Sequence, residues 1–162
     1  MRNKKSWTRI IAPAAAALLI LSFTPKIIEN LQNTSRDKGA FAPEIVFTAT
    51  HLENGSLVEK LGTTVVEGET LFFHVAASLP AHAALLYKAP DQEMQIGIAD
   101  QSLDPREMNI LLKDGEAFAY KVEAADRSLQ VCVVVAADSE SLRAEIKKPV
   151  EPKHCLNFTK GP

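Results

Sequence analysis

An uncharged apolar run from Ile10 to Phe23 follows four basic side chains, Arg2, Lys4, Lys5 and Arg9, and Lys26 closes the segment. Basic flank, apolar stretch and long polar remainder form the pattern by which a chain directs itself across a bacterial inner membrane or into the secretory route. Beyond Pro43 the hydrophobic period becomes two. Ile45, Phe47 and Ala49 alternate within 44–52, and Leu71, Phe73, Val75 and Ala77 do the same. So do Met94, Ile96 and Ile98, then Met108, Ile110 and Leu112, then Phe118, Tyr120 and Val122. Each set predicts a strand with one face inward. Residues 57–66 form a weaker strand region interrupted at Gly62, and 83–87 follow the turn at Leu79-Pro80. Residues 129–136 are apolar on both faces, which predicts a central strand. One helix is expected, capped by Asp138 or Ser139, with Leu142 and Ile146 on one face and Pro149 beyond its end. Residues 155–159 supply a last short strand, and 100–107 read as a polar loop around Pro105.

The expected fold is all-β: an Ig-like antiparallel sandwich of about eight or nine strands with one short helix near the C-terminus. A single N-terminal transmembrane signal-anchor helix precedes it. The predicted organisation is a cytoplasmic basic tail (1–9), an anchor (10–28), a polar tether (29–42) and a periplasmic sandwich domain (43–162). The apolar core alone has the length of a signal-peptide h-region, shorter than a full span of about 20 residues. Arg9 and Lys26 as interfacial flanks, with Trp7, Ile27 and Ile28, extend it to a membrane crossing. Ser22-Phe23-Thr24 and Ala40-Phe41-Ala42 are poor cleavage sites because Pro25 and Pro43 follow them, so retention is favoured over cleavage. Residues 1–39 carry seven Lys/Arg and two Asp/Glu, with the basic cluster ahead of the apolar run. That asymmetry places the N-terminus inside and the domain in the periplasm, on a single-pass inner-membrane protein.

Charge narrows the partners. Residues 40–162 hold 11 Lys/Arg and 18 Asp/Glu, a net of −7. An acidic domain repels phosphate backbones, so nucleic acid is not the expected partner, and the acidity also serves solubility. Cys132 and Cys155 are the two cysteines. In an oxidising compartment they read as a candidate disulfide; the alternative is a free thiol at Cys132 inside an apolar strand.

Motifs for chemistry are sparse: there is no G-x-S-x-G, H-E-x-x-H, C-x-x-C or P-loop. His74, Ser78 and His82 flank one turn. If that turn is a hairpin centred on Ser78, the histidines face each other and can hold a metal or activate a hydroxyl; two solvent-facing histidines are the simpler reading. Of His51, His74, His82 and His154, three sit in or beside loops and turns with no obvious carboxylate partner. Asp100, Asp104 and Glu107 put three carboxylates in one loop, where calcium chelation competes with ordinary solvation. Tyr87 and Phe72 are the aromatics left for a carbohydrate platform. Asn33, Asn54 and Asn157 each open a glycosylation-acceptor triplet, which counts only in a eukaryotic host. No cofactor is expected.

Several short motifs carry a resemblance. They are Trp7-Thr8-Arg9-Ile10-Ile11-Ala12-Pro13 followed by alanines, the Lys38-Gly39 pair, Val66-Glu67-Gly68-Glu69-Thr70-Leu71-Phe72-Phe73, and the Cys132 strand with its later Cys155. In these the chain resembles a bacterial family of unknown function with an extracytoplasmic β-rich domain after one membrane helix, related to the periplasmic part of anti-sigma-factor-like proteins. No His/Cys zinc-binding segment lies within the nine residues before the apolar run. The resemblance therefore implies an envelope sensor-like or interaction domain without assigned catalysis. The expected function is a non-catalytic binding or sensing module with a protein partner. A structural envelope scaffold is the alternative, and a small hydrolase or inhibitor domain built on His74, Ser78 and His82 is the third.

Overall fold

The computed structural model describes residues 41–150 and 154–162. The expected basic tail, the anchor with its flanks Arg9 and Lys26, and most of the tether lie outside the described residues. Among the described residues, no helix is long and apolar enough to cross a membrane.

The domain is mostly β, two five-stranded sheets packed as a sandwich. The first sheet is built from β1 (Ile45–Glu53), β2 (Ser56–Glu59), β4 (Thr70–Ala77), β7 (Asn109–Ile110) and β10 (Ala119–Lys121), in the order β10-β4-β1-β2 with β7 also on β4. The second contains β3 (Thr64–Val65), β5 (Ala81–Lys88), β6 (Gln95–Leu103), β11 (Ser128–Ala136) and β12 (Cys155–Lys160), in the order β3-β12-β11-β5-β6. A small hairpin of β8 (Leu112–Lys113) and β9 (Glu116–Ala117) completes the set. All pairings are antiparallel except β3 on β12.

The period-two pattern explains the packing. Leu71, Phe73, Val75 and Ala77 of β4 meet Ala83, Leu85 and Tyr87 of β5 and Leu129, Val131 and Val133 of β11 in one core. Phe47, Phe73, Phe118, Tyr87 and Tyr120 run through it as an aromatic chain with ring centroids 5.8–6.2 Å apart. Burying each of these large side chains stabilises the fold by about 2–3 kcal/mol, which is why so short a set of strands holds two sheets together.

β11 lies between β5 and β12, as an apolar strand on both faces should. Its second face, Cys132, Val134 and Ala136, packs under the helix α1 (Ser139–Glu145) through Leu142 and Ile146. Asp138 caps that helix, its Oδ1 accepting the Ser141 N–H at 2.8 Å. Directly opposite Cys132 in the strand register is Cys155, and the two form a disulfide.

The turn chemistry is equally local. Asn54-Gly55 and Asp114-Gly115 both take positive φ at both positions, the backbone of a type I′ hairpin, and join β1 to β2 and β8 to β9.

Three expectations change. Among the described residues there are twelve strands, because residues 108–122 break into four short pieces and Gly62 divides β2 from β3, which sit in different sheets. β6 runs on to Leu103, absorbing the start of the expected polar loop; on an edge strand Asp100 and Ser102 can face water. Residues 78–80 are not a hairpin turn, since β4 and β5 belong to opposite sheets and the segment crosses between them.

Candidate functional site

That crossing separates the three residues singled out around Ser78. His74 lies on the face of β4 away from Phe73 and Val75 and is 1 % exposed. Its Nε2 meets Thr50 Oγ1 at 2.8 Å, while the buried Nδ1 has no hydrogen-bond partner. Burial holds its pKa down to about 4, so the ring is neutral at neutral pH. Ser78 Oγ accepts the Glu44 N–H at 2.9 Å and ties the end of β4 to the start of β1. His82, on the second sheet, turns to other partners. The expected facing pair does not form.

His82 Nδ1 lies 2.7 Å from Asp100 Oδ1 and 3.2 Å from Ser139 Oγ. Hydrogen bonds from Ser139 and then His82 hold the Asp100 carboxyl below its usual range. A serine, a histidine and an aspartate thus meet on one surface, but not as a relay. A catalytic relay takes the hydroxyl on one ring nitrogen and the carboxylate on the other. Here both converge on Nδ1, so the imidazole pins β5 to β6 and to the first residue of α1.

His51 also finds a carboxylate. Glu69 Oε1 receives Lys60 Nζ and His51 Nδ1, both at 2.7 Å, and Oε2 accepts the Val66 N–H at 2.9 Å. Burial pulls the Glu69 pKa upward, but bonds from Lys60, Val66 and His51 outweigh it and leave the group lowered. His82–Asp100 and His51–Glu69 each lie 18 residues apart, and no local spacing signals them. Sheet register and the β3–β4 turn create both pairs, which the sequence reading missed.

Two of the three loop carboxylates take separate partners. Asp100 faces His82, while Asp104 is held by Arg106 at 2.8 Å and by Asn109. The Arg106 bonds press the Asp104 pKa down to about 2. Among the described residues, no three His, Cys, Asp or Glu side chains gather where they can hold a metal ion. Phe72 and Tyr87, expected as exposed aromatics, are 0 % and 4 % exposed and serve packing.

A cavity lies between the sheets. A sandwich has two lateral seams, and Gln101 bridges one of them: its Nε2 donates to Ile110 O at 2.9 Å and its Oε1 accepts the Leu112 N–H at 2.7 Å. The opposite seam, between β1-β2 and β12, contains a cavity of about 340 Å³. Phe47, Ala49, Leu156 and Phe158 give it apolar walls; Glu59, Lys60 and Asn157 supply polar groups. Gly62 and Thr63 line the cavity where the chain crosses from β2 to β3, and Leu61 beside them is 82 % exposed. A concave, mostly apolar site of this size with a few polar groups is the usual form of a binding site. No known family model matches this sequence, and no curated protein matches it either.

Proposed function

We propose that this chain is a non-catalytic binding or sensing module of the bacterial envelope. Residues 10–28 anchor it in the inner membrane, and an Ig-like sandwich stands in the periplasm and contacts a protein partner. The supporting observation is the asymmetry of the two seams: Gln101 closes one, and the other keeps an apolar cavity beside a sheet edge. The His82, Asp100 and Ser139 cluster supports the non-catalytic half of the reading, because both partners bind the same ring nitrogen.

The test is complementation of a deletion strain. A variant carrying His82→Ala with Ser139→Ala should restore the cellular role at normal abundance. Loss of the role with fold and abundance intact would overturn the binding reading in favour of an enzyme.

A further inference from the structure

The backbone of β12 alternates in direction, and the hydrogen bonds along it fix the phase. Lys160 N–H bonds inward to Arg127 O at 3.0 Å, while Thr159 N–H bonds outward to Thr63 O at 2.8 Å and Gly161 N–H to Val65 O at 2.9 Å. Two residues back along an antiparallel strand the direction repeats, so the Asn157 N–H and C=O also point away from β11. β3 covers this edge only at Thr159 and Lys160. Among the described residues, no strand pairs with the edge at Asn157. Leu156 and Phe158 meanwhile turn their side chains into the seam cavity.

We propose that the open seam takes an extended peptide segment of a partner protein, which adds as a strand to β12 beyond β3 and sets its apolar side chains between Phe47 and Leu156. The inference deepens the binding reading and rests on it. Each point of ligand chemistry follows from the site. The outward N–H and C=O of Asn157 are matched by another peptide backbone in extended form. A strand presents alternate side chains to one face, so the residues entering the cavity are apolar at every second position. The strand continues the ladder that β3 begins and leaves unfinished. On its water side the segment is basic, matching the domain's net charge of −7, while Glu59 and Lys60 at the cavity itself offset each other.

The probe is a capped nonapeptide alternating valine and lysine, titrated against the purified full chain by fluorescence anisotropy. Binding should exceed that of the valine–glutamate counterpart at least tenfold, and the Asn157 amide should gain protection from hydrogen exchange. Asn157→Pro removes an outward N–H without touching the β11 ladder and should weaken binding at least tenfold. Asn157→Ala keeps that N–H and should weaken binding far less than Asn157→Pro does. A peptide N-methylated at alternate residues, which cannot pair as a strand, should not bind even if Asn157→Pro proves unfolded. The proposal is overturned by an Asn157 amide already protected in the free chain, by equal binding of the N-methylated peptide, or by no binding of the valine–lysine peptide. If it fails while a photo-crosslinker at Leu61 still captures a discrete partner, strand addition is wrong and the binding reading stands.

Discussion

At the scale of single residues, His74 couples the fold to acidity. Its ring is buried and neutral, with a pKa near 4 against an ordinary value of 6.5. The folded chain thus binds fewer protons than the unfolded one across this window. Stability from this group is complete above pH 6.5 and is lost as pH falls toward 4. Between pH 7 and about 4.5, urea unfolding of the native chain should show about 2.5 kcal/mol of stability loss from His74. His74→Gln should lack that component, and an unchanged pH slope in the variant would refute it. Nothing in the sequence marks His74 as buried: it occupies the polar phase of an alternating strand, where a histidine facing water is the plain reading. β4 is covered on both faces, and only the folded chain reveals that.

Among the elements, β12 is fastened covalently as well as by its ladder. It pairs β11 across five register positions, and Cys132–Cys155 joins its first residue to the central strand. Closing a 23-residue loop stabilises by about 3 kcal/mol in the chain-entropy model. Reduction should therefore lower unfolding stability by about that amount. Exchange at Leu156 and Phe158 should rise before exchange in β5. Two alkylatable thiols in the unreduced protein would contradict the bridge.

Most elements were legible in the sequence. β1, β4 and β10 carry clean alternation, β11 is apolar on both faces, and Asn54-Gly55 and Asp114-Gly115 announce their turns. The connection at 78–80 was not legible, because Ser78-Leu79-Pro80 suits a hairpin and an inter-sheet crossing equally well. That ambiguity misplaced His74 against His82. The open seam was hidden for a related reason: its walls come from β1, β2 and β12, brought together only by sheet order.

For the whole molecule, an acidic domain with one closed and one open seam follows the proposed anchor at residues 10–28. The anchor carries its own prediction. An alkaline phosphatase fused after Pro162 should be active, and the protein should stay in the membrane fraction after an alkaline wash. Release of a form beginning between residues 25 and 43 would refute the anchor and leave export intact.

We propose that a partner protein sits in the open seam. A photo-crosslinking amino acid at Leu61, 82 % exposed beside the cavity, can be compared with one at Ile96, 54 % exposed on the far edge strand β6. Irradiated in intact cells, the Leu61 position should give a discrete adduct with one protein, and Leu156→Asp in the same chain should abolish it. No adduct from Leu61, equal adducts from Leu61 and Ile96, or an adduct that survives Leu156→Asp would rule out a partner seated in this seam.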